Sequence, residues 1–125
     1  MNKQLLSGRI ITAIPVLFLA FDAVGKLLNL EPVRQSFQRL GYKTSIGLAI
    51  GLLELACLIV YLVPRTAVFG AVLLTGFLGG AIATHVRVGD PLLTHAFFPV
   101  YVAILLWIGL VLRNERLRAL IRTTA

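Results

Sequence analysis

Charge is scarce in this chain: of its 125 residues only 14% are charged, and five of those are acids. Soluble domains carry about 25% charged and roughly 45–50% apolar residues, whereas here 58% are hydrophobic and the mean hydropathy is +0.92. A unit this small cannot hide so much apolar surface from water, so lipid is the expected solvent. Cysteine is limited to Cys57, which rules out an internal disulfide and any Cys-x-x-Cys redox pair. No internal repeat, low-complexity stretch or linker divides the chain, and a single membrane domain is expected over residues 1–125. The net charge of +7 would suit nucleic acid if it formed a face on a soluble fold. The basic residues instead fall between and beyond the apolar runs, which points to a bilayer surface and away from a nucleic-acid partner.

Four segments match the 17–25 residues that a spanning helix needs. They run over about 10–28, 46–63, 66–86 and 96–112. Backbone amides in lipid must bond within a helix or a closed barrel, and the alternating pattern of a barrel strand is absent. The fold class is therefore all-α, a membrane four-helix bundle. Lys3 and Arg9 precede the first run as in a secretory signal, but Asp22 and Lys26 stand where a cleavage site should be, so a retained helix is expected. Pro64-Arg65 gives an immediate return between the second and third spans. The first loop is longer, and its "EPVRQSFQRL" suits a short interfacial helix with Val33, Phe37 and Leu40 facing the membrane. Residues 113–125 form a basic amphipathic tail suited to anionic headgroups. Four crossings put seven cations on the side of the termini and five on the other, which favours termini in the cytoplasm.

A charge near the bilayer centre costs about 2.5–3.5 kcal/mol, so intramembrane charges tend to face the bundle interior and to have a partner or a task. Glu54 lies about 12 Å along the second span and Asp22 about 9 Å before the end of the first, at 1.5 Å per residue. His85 closes the third span and His95 opens the fourth on the same side, so these polar groups gather in one half of the bundle. Glu54 shares a helical stripe with Gly47, Gly51, Leu58 and Tyr61. Either it links helices or it serves as a proton-carrying or ligand-orienting acid. Asp22 and Lys26, four residues apart, read equally as a local ion pair or as part of a site. Glu54, Asp22 and His85 are the candidate catalytic groups. Arg87, His95, Lys26 and Trp107 are the candidate cofactor-binding groups, Trp107 because it is too deep for a simple interfacial belt. Two histidines alone do not make a metal site, and none is expected; His85 and Arg87 also suit the C-terminus of the third span. Gly76 and Gly80 have the small-x-x-x-small spacing that lets two backbones pack closely.

These residues resemble the DoxX-like family of small four-helix membrane proteins over most of the chain. The resemblance rests on Gly25-Lys26, on Leu40-Gly41-Tyr42, on "IGLLEL" around Glu54, and on Pro64. It continues through "LTGFLGGAIATHVRVGDP", then "FPV", Trp107 and Leu112-Arg113, with the third-span block the most specific part. It implies a bacterial cytoplasmic membrane and a link to quinone-connected sulfur oxidation or to membrane oxidoreductase assemblies. A wider kinship with thiol-redox bundles is also implied, but the lack of paired cysteines removes that chemistry here. The first expectation is an accessory or quinone-associated subunit of a membrane oxidoreductase, with quinone as the candidate cofactor. A purely structural subunit of a larger complex or homo-oligomer comes second. Third is a stand-alone enzyme in which Glu54 or Asp22 does acid/base work on a lipophilic molecule that His85 positions.

Overall fold

The computed structural model describes residues 3–43 and 45–124; Ala125, the last residue of the expected tail, lies outside them. The described chain is all helical. In order it forms α1 (Lys3–Leu27), α2 (Glu31–Arg39), α3 (Ile46–Leu62), α4 (Ala67–Arg87), a π-helical turn (Leu92–Ala96), α5 (Phe98–Arg113) and α6 (Glu115–Thr124). Helix α1 packs against α3 and α5, and α4 packs against the same two, so the four long helices close a ring. Three stretches are long and apolar enough to cross a membrane: α1, α4, and Leu92–Arg113 taken together. At 17 residues, α3 sits at the short end of the spanning range.

The distribution of side chains is that of a protein solvated by hydrocarbon. Phe21, Leu17 and Leu93 are exposed to more than two-thirds of their surface, whereas Glu54 is buried. The core is narrow, built from Leu19, Leu58, Leu74, Leu106 and Leu110 around Tyr61. The Tyr61 hydroxyl satisfies itself by donating to the Leu106 carbonyl at 2.6 Å, which ties α3 to α5.

Close helix crossings are made by glycines, though not by the expected pair. A Cβ on Gly70 would run into the Tyr61 backbone, and one on Gly109 would run into the Thr12 hydroxyl. These two positions seat α4 on α3 and α5 on α1. Among the described residues nothing lies within 4 Å of a Cβ added at Gly76 or Gly80, so they form no packing seam there and leave open space beside α4.

The polar connections lie at one end. Helix α2 begins with Pro32 in its first turn and buries Phe37 against Gly47 of α3. Val33 and Leu40 are half-buried on the same side, so α2 lies across the end of the bundle. Gly89, at φ +79°, turns the chain out of α4. The fourth apolar segment does not begin as a plain helix at Ala96. Amides of Ala96 and Phe97 reach back five residues to Pro91 and Leu92, and a regular helix starts only at Phe98 with Pro99 in its first turn.

Candidate functional site

Between α1, α3 and α4, beneath α2, lies a cavity of about 520 Å³. It is formed because α4 offers Gly76 and Gly80 where larger side chains would fill the space. Its walls are mainly apolar, with Phe18, Phe77 and Phe98 among them, the first and last meeting edge to face at 5.1 Å.

Lys26 stands at the centre of its polar wall. Gly51 permits this: a Cβ there would sit 2.9 Å from Lys26 Cβ, so α1 approaches α3 one turn before Glu54. The Lys26 ammonium donates to Asp22 Oδ2 at 2.6 Å along its own helix and to Glu54 Oε1 at 3.2 Å across to α3. It also lies 5.2 Å from the centroid of the Phe77 ring, within cation–π range. Exposure falls along this chain of charges, from 39% at Asp22 through 14% at Lys26 to 1% at Glu54. The second oxygen of Glu54, Oε2, is buried and has no hydrogen-bond partner among the described residues. A carboxylate oxygen in that state is costly unless something brings a donor to it.

A second polar cluster holds the mouth. Arg39 of α2 grips Asp90 with both guanidinium nitrogens, at 2.8 and 3.2 Å. His85 Nδ1 meets Asp90 Oδ2 at 2.5 Å. The Arg39 bond first, and then the bond with His85, hold the Asp90 carboxyl well below the usual carboxylate range, and Asp90 in turn raises Arg39. Two further ties run alongside: Tyr42 hydroxyl to Thr84 hydroxyl at 2.9 Å, and Arg87 to the Leu40 carbonyl. Gly41 has φ +86°, and its missing Cβ leaves room for the Arg87 guanidinium, which accounts for the Leu-Gly-Tyr motif. Together these bonds latch α2 and the loop after it onto the end of α4.

Of the residues singled out from sequence, Glu54, Asp22, Lys26 and His85 line one cavity. Arg87 works on the latch rather than the cavity wall. His95 is exposed in the π turn beside the Thr94 hydroxyl at 2.9 Å and shares no site with His85. Trp107 donates to the Thr75 hydroxyl at 2.8 Å and lies in a separate shallow groove between α4 and α5, so it does not line the cavity. Sequence reasoning missed Arg39, Tyr42, Thr84 and Asp90 as parts of this site. Asp90 follows a glycine and faces the one arginine that ends α2, but that partner is 51 residues away and no local spacing reveals it.

A family model described as the DoxX-like family matches residues 10–109. No curated protein and no solved structure gives a match.

Proposed function

Because this chain belongs to the DoxX-like family and spans the membrane with apolar helices, we propose that it is a quinone-associated accessory subunit of a membrane oxidoreductase. The observation that carries this reading is the buried Oε2 of Glu54, a residue of the cavity wall, an acceptor with no donor among the described residues. The cavity's size lies within the roughly 300–1,000 Å³ of small-molecule sites, and like them it is apolar with a few converging polar groups. A quinone head fits this donor set. The Lys26 ammonium can donate to a carbonyl, and Glu54 Oε2 can accept from a quinol hydroxyl. Phe18, Phe77 and Phe98 offer the ring apolar contact, and Gly76 and Gly80 leave it room.

A quinone would supply two-electron, two-proton carriage in the lipid phase. Within the chain, Lys26 holds Glu54 through Oε1, which leaves Oε2 as the carboxyl oxygen still able to accept. Asp22, the most exposed of the three, connects the cluster to the outside and suits proton exchange with the surface. His85 stands at the mouth, held by Asp90. With a single buried cysteine the chain has no dithiol to carry electrons, so electron transfer is assigned to a partner subunit. The setting we assign is a bacterial cytoplasmic membrane with both termini inside, following the excess of cations on that side.

The test is to extract the protein in mild detergent and quantify quinone in the organic extract, alongside Glu54→Gln and Gly76→Leu. Near-stoichiometric quinone in wild type, lost in both variants, supports the reading. Wild-type protein free of quinone and of redox partners would defeat it. The same extraction tests the stand-alone enzyme, which would retain a substrate or product other than quinone.

A further inference from the structure

At the opposite end of the bundle a second arrangement stands apart from the cavity. Arg113, the last residue of α5, folds back over α1 because Gly8 and Gly109 let the two helices touch there. Its Nε donates to the Thr12 hydroxyl at 3.0 Å, and its guanidinium carbon lies 5.1 Å from the centroid of the Tyr61 ring. Among the described residues its buried Nη2 has no hydrogen-bond partner and no carboxylate forms an ion pair with it. A half-buried guanidinium fixed on two sides, with an unanswered donor and no counter-charge, is an incomplete anion site.

The groove around it supplies the rest of the shape. Arg9 and Thr12, one turn apart on α1, and Arg113 form its polar part, and Val16, Leu62 and Pro64 continue it as an apolar wall. Arg9 is exposed. This end of the chain also carries Lys3, Arg65, Arg116, Arg118 and Arg122 against the single acid Glu115. Helix α6 is held there by Arg118, which donates to the Val111 and Leu112 carbonyls at 2.7 and 2.8 Å. Its Leu120 and Ile121 remain exposed at the level of the membrane surface.

We propose that this groove binds the phosphodiester of an anionic phospholipid from the surrounding leaflet, with Arg9 and Arg113 on the phosphate oxygens and an acyl chain along Val16 and Leu62. Arginine suits the task, since its planar fork meets phosphate with two parallel hydrogen bonds. The lipid completes the hydrogen bonding of Arg113 and lies across the α1–α3–α5 junction. This site does not depend on the quinone reading: it lies at the other end of the bundle and shares no residue with the cavity.

The test is native mass spectrometry of the full chain released from detergent, titrated with phosphatidylglycerol, with phosphatidylcholine, and with inorganic phosphate as competitor. Wild type is expected to retain phosphatidylglycerol in preference to phosphatidylcholine, and millimolar phosphate is expected not to displace it. Arg9→Gln should weaken that retention about tenfold, the loss of one charge-assisted bond. Among the described residues Arg9 makes no fold contact of the kind Arg113 makes, so this variant keeps the test sound even if Arg113→Gln does not fold. An α6 control, Arg116→Gln with Arg122→Gln, should bind as wild type. Equal retention of both lipids, displacement by free phosphate, or undiminished binding in Arg9→Gln would each overturn the proposal.

Discussion

Replacing Lys26 by Met keeps most of its bulk and removes the one cation shared by two carboxylates. Asp22 is partly exposed and can turn toward the headgroups once its partner is gone. Glu54 cannot: it is almost fully enclosed, and Oε2 already lacks a partner. Breaking one side of a buried pair costs about 3–5 kcal/mol, because the remaining group is left without compensation. Nearly all of that cost should fall on Glu54, at the contact between α1 and α3. Glu54→Gln alone keeps the Lys26–Asp22 bond and should cost less, about 1–3 kcal/mol. The double variant Lys26→Met/Glu54→Leu removes both charges and should recover most of the loss, since an apolar replacement of a buried pair is often neutral. Unfolding of wild type, Lys26→Met, Glu54→Leu and the Lys26→Met/Glu54→Leu double variant by SDS in mixed micelles, followed by circular dichroism, closes a double-mutant cycle, with Glu54→Gln measured beside it. If Lys26→Met unfolds with wild type, or if the double variant is weaker than Lys26→Met, the charge-pair account is wrong.

The glycines give a sharper contrast. Gly70→Ala meets the Tyr61 backbone and should destabilise by about 1–3 kcal/mol or more, whereas Gly76→Ala meets open space and should gain up to about 1 kcal/mol in the same unfolding assay. Trp107→Phe loses one hydrogen bond to Thr75, should cost about 1 kcal/mol, and should leave the quinone content of the purified protein unchanged. The mouth should respond to acid. Asp90 has a folded pKa below its unfolded value of about 3.9, so its contribution is complete above about pH 4 and is lost as the pH falls toward the folded value. Amide exchange in α2, corrected for intrinsic rates, should therefore accelerate below about pH 4 in wild type. In Asp90→Asn it should be fast at every pH.

Depth along a helix was legible from the residues, and direction around it was not. Counting from the ends of the apolar runs puts Glu54, Asp22, His85, His95 and the first loop in one half of the bundle. Glu54 and its stripe of Gly47, Gly51, Leu58 and Tyr61 are buried together on α3. The all-helical fold was equally plain, because lipid leaves a backbone few choices. What failed was the step from depth to shared site, equal depth for His95 and a deep position for Trp107. His95 and Trp107 belong to the fourth span, and which way they face depends on the π turn at Leu92–Ala96 and on the packing of α5 against α4. Lys26 was read with Asp22 because both lie on one helix. Its reach to Glu54 depends on Gly51 admitting α1, a contact between residues 25 or more apart in sequence. Gly76 and Gly80 match the spacing of a packing seam, yet among the described residues nothing lies within 4 Å of a Cβ added at either. Spacing identifies a small-residue face; only the neighbouring helix decides whether that face is filled or left open.

The central claim is that a lipophilic ring occupies the space beside Gly76 and Gly80 with its polar head at Lys26 and Glu54. Photolabelling the purified protein with an azidoquinone, followed by peptide mapping, tests it most directly. The account expects the label on cavity residues of α3 and α4, around Leu53 and Phe77, and its loss in the presence of excess quinone and in Glu54→Gln. Label concentrated instead in the groove beside Trp107 and Ile104, or unaffected by Glu54→Gln, would contradict it.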